Sequence, residues 1–339
     1  MSKETLRGAF LGNPNRIKFV YGQGRFETVA SLVDLRPDLV PADDLDQRLG
    51  ELADVEVLFS TWGMPKLTPE QLDGMPKLQA LFYAAGSVQS FARPLLERNI
   101  LVASSWAANA VPVAEFTLAQ IILSMKRYFH NMRLCTSPDG YVMKQEPGFK
   151  AAIPGMFSET VALLGAGMIG RKVIELLRPF SVEVVVYDPF LTDEAAAQLG
   201  VTKVSLQEAF RTGFVVSNHV ANLPETVRMI KPEHIESMRE GAAFINTGRG
   251  ATVDEEGMCQ VLARRRDLTA LLDVPTHEPP AADSPLYSLP NVFLSSHIAG
   301  SMGNEVIRMA DFAIQSFKDW REQKPLPYAV SLEMLDWMA

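Results

Sequence analysis

A glycine-rich turn near the middle of the chain constrains the fold more than any other feature. The segment VALLGAGMIG, residues 161–170, places Gly165, Gly167 and Gly170 in a G-x-G-x-x-G pattern after an apolar run and before the helical pattern RKVIELLRPF. In a nucleotide-binding unit the first glycine allows the tight turn, the second lets the backbone approach a pyrophosphate, and the third lets helix and strand pack closely. The pattern therefore predicts a dinucleotide-binding domain that begins with this strand.

The next apolar run identifies the dinucleotide. The segment VEVVVYD ends at Asp188, where an acidic side chain accepts hydrogen bonds from the ribose hydroxyls and repels a 2′-phosphate. The following segment DPFLT contains no arginine, and Arg171 is too close to the turn to be the expected reader of a 2′-phosphate. These residues favour NAD over NADP as the cofactor.

The order of apolar runs and helical patterns predicts an α/β fold with two domains. Strand-like runs precede residue 113 and follow residue 160, and two long helical patterns cover about 113–128 and 304–322. We expect the chain to build most of one domain, cross over, build the nucleotide domain and return. The predicted substrate-binding domain comprises residues 1–108 and 305–339, and the predicted nucleotide domain comprises residues 109–304.

The composition narrows the range of partners. The chain has 339 residues, 47% hydrophobic and 21% charged, with a formal net charge of -8. This charge argues against nucleic acid or an anionic membrane as a partner, because both attract basic surfaces. The two cysteines show no metal-ligand spacing, so we expect no metal. The opening MSKETLRGAF lacks the apolar core of a signal peptide, and a cytoplasmic location is therefore expected.

Polar residues follow four of the apolar runs in the nucleotide half: His219, Arg249, Asp273 and His297. Ligands of open α/β sheets bind at the carboxyl ends of strands, so these positions are candidates for chemistry. A histidine at a strand end is more often simply packed or hydrogen-bonded. Both histidines therefore stay open as candidates for an acid or base.

Four segments together resemble one family. LLGAGMIGRKV, NTGRGATVDEE, LLDVPTHEPP and SSHIAG, in this order and spacing, look like the D-isomer-specific 2-hydroxyacid dehydrogenase family. The resemblance implies a Rossmann NAD-binding domain inserted in a flavodoxin-like substrate domain and joined to it by two crossover helices. It also implies hydride transfer between NAD and a small 2-oxo or 2-hydroxy acid, and a homodimer.

The resemblance assigns a role to each candidate. Arg249 would clamp the substrate carboxylate and carbonyl, His297 would donate or remove the proton at the carbonyl oxygen, and Glu278 would orient His297 and support its charged form. Asp273 would accept from the nicotinamide carboxamide. The other cofactor residues would be Met168, Ile169, Val220, Ala221, Thr226, Thr247 and Gly248, beside the three glycines and Asp188. Backbone N–H groups of Ala85, Gly86 and Ser87 would meet the substrate carboxylate.

Departures from the family pattern bear on the substrate. Ser296 stands where the family usually has proline before the histidine, and GSVQS differs from the usual substrate loop. Trp62, Tyr83 and Trp106 either pack in the core or line the substrate side-chain pocket. The second alternative predicts little activity with 3-phosphohydroxypyruvate, since no basic cluster for its phosphate is evident.

Two other functions share this fold. Formate dehydrogenases typically carry glutamine where this chain has Glu278, so the glutamate favours a proton-transferring oxidoreductase. Some relatives are NAD-sensing corepressors that recruit peptides, and turnover of 2-oxo acids with NADH distinguishes an enzyme from these.

Overall fold

The chain forms two compact units. The structure, a computed structural model, describes residues 5–143 and 153–336. Met1–Ala110 and Ser301–Ala339 make up the first unit, and Val111–Gly300 makes up the second. The first unit is thus built from both ends of the chain and the second from its middle. The sequence pattern predicts the domain boundaries after residues 108 and 304, whereas the two units meet after residues 110 and 300.

The first unit is built on a mostly parallel sheet. Its strands are β1 (Arg7–Gly12), β2 (Asp34–Leu35), β3 (Val40–Pro41), β4 (Val57–Ser60), β5 (Ala80–Tyr83), β6 (Leu101–Ser104) and β14 (Ala329–Val330). The order is β14-β6-β5-β4-β1-β2, with β3 also on β1, and only β14 pairs antiparallel among these described strands. β4 and β5 are buried throughout, as expected for central strands covered on both faces.

Short helices cover this sheet. They are α1 (Pro14–Val20), α2 (Arg25–Leu32), α3 (Leu45–Arg48), α4 (Pro69–Asp73), α5 (Arg93–Leu96) and, after the second unit, α14 (Val306–Arg321). The segment Thr68-Pro69-Glu70-Gln71 has the sequence pattern of a capping box, and α4 begins with one. The Thr68 hydroxyl accepts from the Gln71 N–H at 3.2 Å, and the Gln71 side chain accepts from the Thr68 N–H at 2.9 Å.

The carboxyl ends of four neighbouring strands meet at one edge of the first sheet. Ser60 pairs with Tyr83, and Tyr83 pairs with Ser104, in parallel register. The Ser60 hydroxyl donates to the carbonyl of Leu11 on β1 at 2.6 Å, which joins the end of β1 to this edge. Residues that follow β1, β4, β5 and β6 therefore lie side by side here.

The second unit is built on a fully parallel sheet. Its strands are β7 (Phe157–Leu164), β8 (Ser181–Tyr187), β9 (Thr202–Lys203), β10 (Val215–Asn218), β11 (Ala243–Asn246), β12 (Thr269–Leu272) and β13 (Val292–Leu294). The described strands have the order β13-β12-β11-β10-β7-β8-β9. The order reverses direction between β7 and β10, and this switch point is where doubly wound sheets bind ligands. The α/β, Rossmann-type prediction is confirmed.

Helices on both faces bury two apolar clusters against this sheet. The helices of this unit, besides the long helix described below, are α7 (Tyr128–Leu134), α8 (Pro138–Met143), α9 (Met168–Leu177), α10 (Asp193–Leu199), α11 (Leu206–Thr212), α12 (Pro232–Glu236) and α13 (Glu255–Arg264). At the start of α11 the Ser205 hydroxyl accepts from the Glu208 N–H at 3.2 Å, as expected for the capping-box pattern SLQE of residues 205–208.

The long helix α6 (Trp106–Met125) begins earlier than the sequence pattern predicts. A start near Val113 is suggested by Pro112, because proline favours the first turn. The alanine-rich stretch before it instead forms helix, so Pro112 lies inside. The helix ends before Arg127, which adopts a left-handed conformation with φ of 49°. With mean hydropathy of 1.3, α6 matches a membrane span by length and composition, but half of it is buried, and core helices pass the same test.

Candidate active site

His297 and Glu278 form a direct pair in the second unit. Nδ1 of His297 lies 2.8 Å from Oε2 of Glu278, and both side chains are about half exposed. The carboxylate accepts from Nδ1–H, which leaves Nε2 free to exchange a proton with a ligand. His297 also has a φ of 57°, in the left-handed region that residues other than glycine rarely adopt.

The buried carboxylate of Asp273 holds the loop that carries His297. Its side chain is 1% exposed. Oδ1 accepts from the Ser295 hydroxyl at 2.6 Å and the Ile298 N–H at 2.9 Å, and Oδ2 accepts from the Ala299 N–H at 2.9 Å. The His297 N–H donates to the Asp273 carbonyl at 3.0 Å. One residue thus holds donors from both sides of His297, which offsets the cost of its left-handed backbone.

Arg249 lies largely buried after β11. Burial lowers the pKa of Arg249, and the charge of Glu278 opposes that shift. Glu278 therefore lies within electrostatic reach of Arg249 as well as in contact with His297. Nη1 of Arg249 donates to the carbonyl of Gly248 at 2.8 Å, and this bond holds one end of the guanidinium in place. Glu278 is thus the residue that links the predicted acid/base His297 to Arg249.

Amide and hydroxyl groups that the sequence did not single out support Arg249. The Arg249 carbonyl accepts from the Thr252 hydroxyl at 2.7 Å and the Asn246 amide at 3.3 Å. The Asn218 amide donates to Asn246 at 3.0 Å and to Thr252 at 2.8 Å. The signal was present in the sequence, since Asn218 and Asn246 are polar ends of otherwise apolar strands.

The glycine-rich turn has the crowding expected of its pattern. Gly165 has a φ of 97°, and a Cβ there would lie 3.0 Å from the His219 carbonyl oxygen. A Cβ on Gly170 would lie 2.1 Å from the Gly165 carbonyl oxygen, so only glycine allows this turn to close on α9. A Cβ on Gly167 would meet nothing within 4 Å, and Met168 beside it is 41% exposed. The turn is therefore closed toward the protein and open at Gly167.

Asp188 stands beside that turn at the end of β8. Oδ2 accepts from the Ala166 N–H at 2.7 Å, and Oδ1 accepts from the Phe190 N–H at 2.8 Å. Arg171 donates to the Ala166 carbonyl at 2.8 Å and is thereby held on the turn itself. The carboxylate keeps further lone pairs for hydroxyl donors, which fits a ribose diol.

Loops after β10 and β11 complete this edge of the sheet. The Thr226 hydroxyl donates to the Ala221 carbonyl at 2.6 Å and accepts from the Leu223 N–H at 2.8 Å, so it closes the loop that begins at Val220. Thr247 contacts Thr117 at 3.1 Å and Nδ1 of His219 at 3.4 Å. Gly248 donates to Asn246 at 3.1 Å.

His219 is unsuited to proton exchange near neutral pH. Nε2 lies 3.0 Å from the Ser217 hydroxyl, and burial lowers the pKa of His219 to about 4. Its imidazole is therefore neutral and engaged on both nitrogens. Of the two histidines left open by the sequence, His297 has the geometry of an acid or base.

The loop after β5 in the first unit presents free donors. The carbonyls of Ala84, Ala85 and Gly86 all accept from side chains, at 2.8 Å from Thr61 and at 2.9 and 2.5 Å from Ser104. Within the described ranges, the backbone N–H groups of Ala85, Gly86 and Ser87 donate to no protein acceptor. The loop thus turns its acceptors inward and leaves its donors available for an anion.

The second unit has what a bound NAD requires. The turn is open at Gly167 for a pyrophosphate, and Asp188 is adjacent to it for the ribose. No group of three His, Cys, Asp or Glu able to hold a metal occurs in the described part of the chain.

A family model matches this half of the chain. The model of the D-isomer specific 2-hydroxyacid dehydrogenase NAD-binding domain matches residues 121–299. The chain belongs to the D-isomer specific 2-hydroxyacid dehydrogenase family. Its cofactor is NAD, bound by the domain that the matched residues form.

Relatives of the family resemble the chain over most of its length. A D-3-phosphoglycerate dehydrogenase of Archaeoglobus fulgidus is 26% identical over 240 residues, which cover 71% of this chain and 44% of that protein. A solved D-mandelate dehydrogenase of Rhodotorula graminis has a TM-score of 0.80 at 20% identity and covers 97% of this chain and 98% of its own. A D-lactate dehydrogenase of Treponema pallidum has a TM-score of 0.69 at 20% identity, covering 96% and 100%. The chain spans about half the length of the curated relatives it matches.

Proposed function

We propose that the protein is an NAD-dependent oxidoreductase that interconverts a 2-oxo acid and the D-2-hydroxy acid. The observation that carries the proposal is the position of Glu278, bonded to His297 at 2.8 Å and within electrostatic reach of Arg249. An acid/base and a carboxylate-binding cation are the two groups that reduction of a 2-oxo acid needs from a protein. Family membership supports the same reaction class.

Arg249 binds the substrate in this proposal. Its planar guanidinium presents parallel N–H donors that match a carboxylate and the adjacent carbonyl oxygen. The bonds from Asn246 and Thr252 to its carbonyl keep the backbone of this residue fixed. Lysine keeps the charge but offers no such fork, so Arg249→Lys is an informative substitution.

His297 moves the proton. In reduction, Nε2–H donates to the substrate carbonyl oxygen, and in oxidation neutral Nε2 accepts the hydroxyl proton. Glu278 accepts from Nδ1–H, which fixes the ring orientation and stabilises the imidazolium. NADH supplies the hydride when bound, and NAD accepts it in the reverse direction.

The loop after β5 carries the predicted contacts with the substrate carboxylate. The free N–H groups of Ala85, Gly86 and Ser87 suit a carboxylate oxygen, because three adjacent donors form an anion-binding concavity. The predicted cofactor contacts of Thr247, Gly248, Val220, Ala221 and Asp273 belong to the same proposal.

We also propose a homodimer. Large apolar side chains lie exposed along the end of α6 and on α7 and α8. They are Leu123, Tyr128, Met132, Leu134 and Tyr141, which are 36 to 60% exposed. Exposed apolar side chains concentrated on one segment are typical of a protein interface. Light scattering on the purified chain measures the mass, and Met132→Glu with Tyr141→Glu should yield a monomer.

Turnover with purified protein tests the function. NADH oxidation is followed with glyoxylate, pyruvate, hydroxypyruvate and phenylpyruvate, and chiral chromatography identifies the product enantiomer. We expect a D-2-hydroxy acid, and Arg249→Lys should lower kcat/KM about 100-fold by loss of the bidentate contact. Arg264→Lys, on a surface ion pair with Glu236, is the matched control and should retain activity. Absence of turnover with every 2-oxo acid, with NADH bound, would instead support a corepressor-like binding protein.

A further inference from the structure

A cavity of the first unit lies beside the C-terminal half of α14. Its volume is about 340 Å³, which is within the range of small-molecule sites. One face of α14 between residues 311 and 319 lines one side, and residues 326–328, which lead into β14, line the other. The proposed reaction uses none of these residues, so the cavity is available for a separate role.

Hydrogen bonds and a ring contact hold both sides of the cavity. The Lys324 N–H donates to the Asp319 carbonyl at 2.9 Å, which fixes the turn after α14. The Tyr328 carbonyl accepts from the Ser104 N–H at 3.1 Å, which anchors the second side to β6. The rings of Phe312 and Tyr328 lie 5.3 Å apart between centroids and join the two sides. The chain itself therefore keeps the cavity in shape.

A buried hydroxyl without a protein partner borders the cavity. Ser316 is only 8% exposed, and it is one of the lining residues. Within the residues that the structure describes, the Ser316 side chain makes no hydrogen bond. Buried hydroxyls are nearly always hydrogen-bonded, and a polar group of a ligand in the cavity would supply the partner.

The carboxylate of Asp319 is incompletely used by the protein. Oδ1 accepts from the Gln315 amide at 2.9 Å, whereas Oδ2 accepts no hydrogen bond in the described part of the chain. The ammonium of nearby Lys324 is paired with Glu322 at 2.6 Å instead. Asp319 thus presents a charged acceptor that a ligand can use.

The rest of the lining favours a cation with an apolar body. Asp311 adds a second carboxylate, which accepts from Arg25 at 2.9 and 3.1 Å but remains 51% exposed. Among the described residues, no lysine, arginine or histidine lines the cavity. Phe312, Leu326 and Tyr328 supply apolar surface, and aromatic faces attract cations as carboxylates do.

We propose that this cavity binds a small organic cation, an amine that carries an apolar body. The ammonium pairs with Asp319 and donates to the Ser316 hydroxyl, and the apolar body lies against Phe312 and Tyr328. The site lies within the first unit and uses none of the residues assigned to hydride or proton transfer. The proposal is therefore independent of the proposed function.

Two probes of the same shape test the charge of the ligand. Phenethylamine and phenethyl alcohol carry a cationic and a neutral end on the same aromatic body, and isothermal titration calorimetry measures the binding of each to the full chain. We expect the amine to bind about tenfold more tightly or better, as for a hydrogen bond to a charged group. Equal affinity for the two probes, or absence of saturable amine binding, would overturn the proposal.

Substitutions test the assignment to this cavity. Asp319→Asn removes the charge and should weaken amine binding about tenfold, whereas Ser316→Leu should fill part of the cavity and weaken binding of both probes. Asp43→Asn removes the same charge from an exposed position elsewhere in the first unit and should leave the affinity unchanged. Unchanged amine affinity in both cavity variants would overturn the site.

A further variant and a crystal structure decide the case in which Ser316→Leu does not fold, which urea unfolding would show. Ser316→Ala removes only the hydroxyl and should weaken amine binding about fivefold. A crystal of the full chain grown with phenethylamine then locates the probe. An ammonium within hydrogen-bond distance of the Asp319 carboxylate supports the site, and a probe bound only elsewhere would overturn it.

Discussion

Ser295 lies two residues before His297, and its hydroxyl donates a 2.6 Å hydrogen bond to Oδ1 of Asp273. The same carboxylate accepts from the backbone on the other side of His297, at Ile298 and Ala299. Asp273 thereby acts as a positioning residue for His297. Its remaining lone pair on Oδ2 is compatible with the predicted contact to a nicotinamide amide.

This relationship predicts a graded loss in two variants. Asp273→Asn places an amide N–H₂ against the donors of the loop, which then loses its support, and kcat should fall about 100-fold. Ser295→Ala removes a single hydrogen bond. It should lower the free energy of unfolding by about 1 kcal/mol and cause a smaller loss of kcat. Ser295→Thr keeps the hydroxyl and should restore both values. Steady-state kinetics and urea unfolding measure them. Full kcat in Asp273→Asn would show that the loop holds its shape without the carboxylate.

The sequence predicts residues that directly follow a strand better than it predicts the hydrogen bonds that hold those residues. Gly165 and Arg249 were predicted correctly as neighbours of strand ends, because a turn pattern and a strand end are local in sequence. The bond from Ser295 to Asp273 and the bonds from Asn218 to Asn246 and Thr252 join different strands, so their partners emerge only with the register of the sheet. The early start of α6 was missed for a similar reason, since packing overrode the local preference of Pro112.

The cofactor preference depends on Asp188. A 2′-phosphate would approach a carboxylate already fixed by the Ala166 and Phe190 N–H groups, and like charges in a fixed geometry repel. We expect NADH to be preferred to NADPH. Asp188→Ala should weaken NADH binding about tenfold and narrow that preference, as measured by fluorescence titration of both cofactors. Equal affinity of the unmodified protein for the two would refute the assignment.

The lowered pKa of His219, which is only partly exposed, predicts a pH dependence of stability. Its pKa is about 4 in the folded protein, below the ordinary value of 6.5, so the unfolded chain binds a proton more readily between these values. The free energy of unfolding should therefore decrease as pH falls from 6.5 to 4, by up to roughly 3 kcal/mol from this group alone. Urea unfolding across this range measures the effect.

His219→Gln is the control for that pH dependence. Glutamine does not titrate and retains polar atoms for Ser217 and Thr247, so the difference between the two proteins isolates the histidine. The slope of unfolding free energy against pH should be smaller in the variant between pH 4 and 6.5 and the same above it. Parallel slopes throughout would mean that His219 accepts its proton in the folded protein as easily as in the unfolded chain.

The pair of His297 and Glu278 provides the decisive test of the reaction. His297→Ala removes the proton donor, and kcat for reduction should fall about 10²- to 10⁴-fold, the usual contribution of general acid catalysis. Glu278→Gln keeps the size of the side chain but removes the charge that stabilises the imidazolium, so a smaller loss, about tenfold, is expected. NADH should bind both variants nearly as tightly as the unmodified protein, because the turn at Gly165 and Asp188 is untouched. Stopped-flow measurement of a single turnover, with the affinity for NADH determined in parallel, separates chemistry from binding. If His297→Ala retained its single-turnover rate, the proton would have to come from another group, and the assignment of this site would be wrong.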